Sequence, residues 1–140
     1  MSRVFWDTNL WIYLLEGRGA LADRVAALRE RMQERRDQMF TSAFTLGEIL
    51  VKPIERGDEA LAARYTRVIQ ATAIVVPFSA EAAPSYARIR LDRSIRPPDA
   101  IQLACAATAE IDLFITNDER LSRKTVPGIN FVASLDRSFL

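Results

Sequence analysis

The 140-residue sequence has no histidine and one cysteine, Cys105. Without histidine there is no Ser-His-Asp or Cys-His nucleophilic system, no His-ligated zinc and no imidazole acid/base pair. One cysteine excludes an intrachain disulfide and a cysteine-rich zinc site. It sits in an Ala-rich apolar run, where a buried inert thiol is the simplest expectation. Lysine is nearly missing as well: Lys52 and Lys124 are the only two among 19 basic residues. An arginine-dominated set suits bidentate contacts to phosphate, although a coding bias produces the same imbalance. No apolar run approaches the roughly 20 residues of a membrane-spanning helix, and no basic flank leads into an apolar signal segment. A cytosolic location without membrane attachment is the expectation.

What remains is an ordinary globular composition, 49% hydrophobic and 26% charged, with a formal net charge of +1. The length suits one domain, residues 1–140, with a substantial core. Ionic chemistry in such a chain must rest on carboxylates, with or without a hard metal.

The chain opens on Arg3-Val4-Phe5-Trp6-Asp7-Thr8-Asn9. Three bulky apolar residues form a short buried strand that stops in a carboxylate, and unpaired buried carboxylates are expensive. Strand ends of this kind form ligand sites in open α/β sheets. Leu10 to Leu15 reads as a short helix on the sheet, and Leu21, Val25, Leu28 and Met32 mark an amphipathic helix whose charges, through Arg35-Arg36-Asp37, form a solvated face. Gly17-Arg18-Gly19-Ala20-Leu21-Ala22 matches a dinucleotide-binding pattern formally, but the preceding residues read as helical, which favours a helix stop and a turn. Met39-Phe40-Thr41 is a second strand, and Ser42 caps a helix carrying Phe44, Leu46, Ile49 and Leu50. Pro53 and Gly57 separate it from a helix over Glu59 to Ala71. Ile74-Val75-Val76-Pro77 is a third strand, Ser79 opens a helix through Leu91, Pro97-Pro98-Asp99 begins another, and Leu113-Phe114-Ile115-Thr116 is a fourth strand. Glu119 to Arg123 makes a helical turn and Phe131-Val132 a last strand. Strands alternating with helices indicate a parallel sheet covered on both faces.

Each acidic residue on this path has a plain structural explanation. Asp7 can cap the helix near Leu10, and Asp99 suits the dipole of a proline-led helix start. Glu48 fits a solvent-facing helical charge, and Asp118 fits a turn. Together they say more. Asp7 and Asp118 both follow short apolar strands, Asp99 begins a helix at the same rim of a parallel sheet, and Glu48 is one to two turns into the helix after the second strand. Two like charges about 4 Å apart repel by roughly 4 kcal/mol at an effective dielectric near 20. Four such groups are tolerable only when protonated or neutralised by cations, and oxygen ligands without His or Cys select Mg²⁺ or Mn²⁺.

At four stretches the sequence resembles the PIN-domain nucleases, and within them the VapC-type toxins of toxin–antitoxin pairs. The matching motifs are Phe5 to Asn9, Ser42 to Glu48, Pro98 to Ala104 and Phe114 to Leu121, in the family's order and at its separations. The resemblance implies an α/β/α sandwich around a parallel sheet of about four to five strands. It implies a Mg²⁺- or Mn²⁺-dependent endoribonuclease, a homodimer and a cognate antitoxin. Carried over by position, Asp7, Asp99 and Asp118 are metal ligands, and Glu48 completes the catalytic acids and orients or deprotonates the attacking water. Thr8, Asn9, Ser42, Thr116 and Asn117 hydrogen-bond those carboxylates or a phosphate. Arg93 and Arg96 have two readings of equal weight, RNA-phosphate ligands or exposed loop arginines.

Two rivals remain at this level. A haloacid-dehalogenase-like phosphatase would use Asp7 as nucleophile, but its pattern wants a second Asp where this chain has Asn9. A receiver-type binding module, which has no enzymatic activity, also gathers acids at strand ends, but typically with paired acids after its first strand, which Asp7-Thr8 does not supply.

Overall fold

A computed structural model describes residues 1–138 and 140. Its described residues form five strands and six α-helices in the order β1 (Arg3–Trp6), α1 (Thr8–Glu16), α2 (Gly19–Arg35), β2 (Gln38–Ser42), α3 (Ala43–Glu55), α4 (Glu59–Thr72), β3 (Ile74–Val76), α5 (Ala83–Ile89), α6 (Pro97–Thr108), β4 (Ile111–Thr116) and β5 (Ile129–Ser134). The strands make one sheet ordered β3-β2-β1-β4-β5, and every pairing is parallel. The chain builds outward from β1 to β2 and β3, then returns to place β4 on the other side of β1. That reversal leaves a crevice beyond the carboxyl ends of β1 and β4, where open α/β sheets bind ligands.

The sheet is buried on both faces because its strands alternate between two cores. Phe5, Phe40 and Phe114 face α5 and α6. They lie in register across three strands, and the Phe5 and Phe114 rings stack with centroids 5.0 Å apart. Val4, Trp6, Met39, Leu113 and Ile115 face the opposite way, against Leu10, Trp11, Val25, Leu28, Met32, Ile49 and Ile69 from α1 to α4. The result is the expected α/β/α layering. Three of the six buried residues of α6 are alanine, small enough to let the helix pack against the sheet. Gly128, at φ +93°, passes so near α6 that a Cβ there would meet Ala107 at 3.0 Å.

Four local expectations need correction. Pro53 does not end α3; it sits in the last turn, where only the bond to the Ile49 carbonyl is lost, and the helix runs on to Glu55. α5 starts at Ala83, four residues after Ser79, and ends at Ile89, which leaves Leu91 outside the helix and exposed. The last strand, β5, spans six residues, Ile129–Ser134, because β4 pairs with it along its length. Asp37 is not a solvated charge. Its carboxylate is buried and accepts from the Ser2 backbone N–H at 2.7 Å and from Arg35 Nε at 2.9 Å, so it fastens the entry into β1.

Candidate active site

Asp7 ends β1, and its N–H continues the ladder by donating to the Ile115 carbonyl at 3.0 Å. The residue is 9% exposed. One carboxylate oxygen accepts from the Thr8 N–H at 2.9 Å, capping α1, and from Gln102 Nε2 at 3.3 Å; the other accepts from Thr116 Oγ1 at 2.9 Å. All three donors are neutral, and among the described residues no basic side chain pairs with Asp7. Burial therefore pushes its carboxyl up to about 6, against the pull of the Thr116 and Thr8 hydrogen bonds, and the charges of Asp99 and Glu48 raise it further. A buried carboxylate with this balance is stabilised by an added cation.

Glu48 reaches the rim from the second turn of α3. Its Oε1 accepts from Thr8 Oγ1 at 2.6 Å, so the hydroxyl after Asp7 holds the second acid in place. Asp99 stands in the first turn of α6, and its carboxyl is raised chiefly by burial and further by Asp118, with Arg96 and Arg120 opposing. Arg96 Nε lies 3.8 Å from Asp99, and Arg96 Nη2 lies 3.9 Å from Asp118. Arg120 Nη2 is 3.5 Å from Asp118, whose other oxygen accepts from the Arg120 N–H at 2.9 Å. The Asp118 N–H donates to Thr116 Oγ1 at 3.1 Å, so one threonine links the loops carrying Asp7 and Asp118.

The four acids thus occupy one rim and influence one another electrically, Glu48 and Asp99 on Asp7 and Asp118 on Asp99. They are not drawn to a common point: among the described residues no three acidic side chains converge closely enough to hold an ion. Asp99 and Asp118 are turned toward arginine. The donor set still fits a hard divalent cation, because every ligand-capable side chain here offers oxygen and Asp7 lacks a positive partner.

Beneath the acids lies a residue that the sequence reading missed. Gln102, on α6, is 2% exposed and joins four segments. Ser42 Oγ caps α3 by accepting from the Thr45 N–H at 3.0 Å, so its own proton donates to Gln102 Oε1. The amide NH₂ then faces Thr45 Oγ1 at 2.6 Å, Thr8 Oγ1 at 2.9 Å and Asp7 at 3.3 Å. Having accepted from Gln102, Thr8 is free to donate to Glu48. This ordered chain fixes the relative positions of Asp7 and Glu48. Its signal was present in the sequence: Gln102 is the one polar residue in Ala100–Ala107, three positions after Asp99 and hence on the same helical face.

The other expected residues fall unequally. Asn117 donates to the Tyr13 hydroxyl at 3.2 Å rather than to a carboxylate. Asn9 is exposed at the rim. Arg96 is at the acids, whereas Arg93 is exposed and has no ion-pair partner among the described residues. Cys105 is buried, with its thiol pushed up to about 11 by desolvation, as an inert core residue should be.

A family model described as PIN domain matches residues 4–126. No curated protein matches the chain. Among solved structures, the chain is similar to one in the VapBC2 complex from Rickettsia felis bound to a promoter DNA fragment, with TM-score 0.72 and 16% identity over 94% of this chain and 97% of that one. It is also similar to a chain of a toxin–antitoxin complex from Klebsiella pneumoniae, with TM-score 0.64 and 23% identity over 90% and 94%. A third is VapC20 from Mycobacterium tuberculosis, a toxin that cleaves the sarcin-ricin loop, with TM-score 0.60 and 17% identity over 79% and 86%.

Proposed function

The chain belongs to the PIN-domain family, and from that premise we propose that it is a divalent-metal-dependent endoribonuclease acting as the toxin of a toxin–antitoxin pair. The observation that carries the proposal is the buried Asp7 carboxylate, held by neutral donors and flanked by Glu48 and Asp99. Bound Mg²⁺ or Mn²⁺ supplies a polarised phosphate and a bound water of lowered pKa. Asp7 and Asp99 would hold that cation, and Asp118 would be a further ligand in place of its contacts with Arg96 and Arg120. Glu48, its position set by the Thr8 hydroxyl, orients the attacking water and receives its proton. Arg96 and Arg120, released from the acids, bind the phosphate oxygens of the substrate. Hydrolysis by water leaves a 5′-phosphate and a 3′-hydroxyl and needs no 2′-OH nucleophile.

The antitoxin and homodimer expectations belong to the same reading. A groove of about 330 Å³ beside Glu48, lined by Ile12, Leu15, Ile49, Val51 and Tyr65 among others, offers apolar side chains a seat next to the acids. Val51 and Ile54 on α3 are 50% and 64% exposed, more apolar surface than an isolated helix face needs. The R. felis and K. pneumoniae neighbours come from toxin–antitoxin complexes, which supports a protein partner here.

The experiment is cleavage of a labelled single-stranded RNA by purified protein. EDTA is expected to stop internal cleavage and added Mg²⁺ or Mn²⁺ to restore it, with 5′-phosphate ends on the products. Undiminished cleavage in well-chelated buffer removes the metal. Release of free phosphate from monoesters without RNA cleavage would transfer Asp7 to a phosphatase role.

A further inference from the structure

Two shallow cavities adjoin on one flank of the acidic rim. The first, about 280 Å³, has Asp99 and Asp118 in its wall together with Arg120, Arg123 and Lys124. The second, about 290 Å³, leads away from the acids and is lined by Arg88, Arg123 and Lys124 with Asp92 as its acidic residue. They share Ile95, Arg123 and Lys124, so they form one continuous cleft. Lys124 already neutralises Asp92, with Nζ 2.9 Å from the carboxylate and 2.7 Å from Ser94 Oγ. Arg88 and Arg123 have no ion-pair partner among the described residues, and both are exposed. The opposite flank differs in kind: its groove is mostly apolar, and Lys52 and Arg56 there are matched by Glu16 and Glu48. The cationic excess therefore lies on one side of the acids only.

We propose that this cleft is the path along which single-stranded RNA runs from the cleavage site, its phosphates met in turn by Arg120, Arg123 and Arg88. The proposal rests on the ribonuclease reading above and adds the direction of the strand. Arg120 is held by Asp118 at the cleavage site, and the unpaired guanidinium groups of Arg123 and Arg88 beyond it suit successive phosphates, each of which releases counterions when neutralised. No aromatic side chain lines either cavity, so bases find no stacking platform there and the contacts are to the backbone. Binding along this path is consequently indifferent to sequence.

The test compares Arg88→Ala/Arg123→Ala with its parent, both in the Asp7→Asn background and in metal-free buffer, where nothing is cut. Two unrelated single-stranded RNAs are titrated over a range of salt concentrations. Both should bind about tenfold more weakly to the variant, and the salt slope should become shallower by about 1.4, the value for two lost single-strand phosphate contacts. Mn²⁺ affinity of the otherwise wild-type double variant should be unchanged, since neither arginine touches a carboxylate. Unaltered RNA affinity and slope would overturn the path, as would a loss confined to one of the two sequences. Intact RNA binding with weakened association to an acidic protein segment would assign the cleft to a protein partner and overturn it equally. If the parent itself fails to bind RNA, the ribonuclease reading falls and takes the path with it.

Discussion

At Asp7, burial and charge oppose each other. Its carboxyl titrates near 6 in the folded chain against a reference of 3.8, so the folded state binds the extra proton between those values. Metal-free stability should therefore be highest below about pH 4 as far as this group is concerned, fall as pH rises to about 6, and level off beyond, by about 3 kcal/mol in all. Asp7→Asn should flatten that slope, leave the protein folded and more stable at neutral pH, and abolish cleavage; urea melts at stepped pH with a parallel RNA assay check both. Wild-type cleavage in this variant would contradict the assignment. Gln102→Met keeps volume but deprives Ser42, Thr8 and Thr45 of a buried partner. It should cost about 1–3 kcal/mol and weaken Mn²⁺ binding, read by melting and by calorimetry. Unchanged metal affinity would reduce Gln102 to a packing role. Asp7, Asp99 and Asp118 stood out as isolated letters because each follows a strand or opens a helix, and Glu48 because it lies one to two turns into the helix after the second strand. Gln102 was visible only as a lone amide in an apolar helix, and its role depends on Ser42 and Thr8 lying opposite, which spacing does not encode. Arg96 was placed near the site, but its proximity to both Asp99 and Asp118 depends on how two loops meet, which spacing does not encode.

Among the elements, those bounded by strong local chemistry were read well. β1 and β4 are apolar runs followed by acids, and α6 starts at a proline pair; β1 and α6 are where their sequence placed them, whereas β4 begins two residues before Leu113, at Ile111. The failures differ in cause. Pro53 is tolerated because the last turn of α3 continues past it, and β5 is longer than Phe131-Val132 because β4 supplies partners through Ser134. Ser42 shows how an element end can serve the site as well. Its hydroxyl caps α3 and also fixes the orientation of Gln102. Ser42→Ala should thus lose about 1 kcal/mol from the cap and also disturb the acids. Asp58→Ala supplies the control. Asp58 caps α4 by accepting from the Leu61 N–H at 3.1 Å and touches nothing at the rim. It should cost a similar amount in denaturant melts while leaving RNA cleavage intact. Equal losses of activity in both variants would mean that helix stability alone is being measured.

For the molecule as a whole, strand order brings distant acids together. Placing β4 beside β1 sets Thr116 against Asp7 across more than a hundred residues of sequence, Thr116 in turn accepts from the Asp118 N–H, and α3 and α6 bring Glu48 and Asp99 to the same edge. Among the described residues no helix is long and apolar enough to cross a membrane. The two flanks of the rim then divide the surface, apolar beside Glu48 and cationic beside Asp118. What the fold has not done is close the carboxylates on a point, since Asp99 and Asp118 lean on Arg96 and Arg120. In the proposed mechanism a divalent ion completes that step. The most direct measurement is a Mn²⁺ binding isotherm on RNA-free protein at neutral pH. Saturable binding by the wild type, lost in Asp7→Asn and in Asp99→Asn, is the predicted result; no saturable binding, or binding equally strong in both variants, would contradict it.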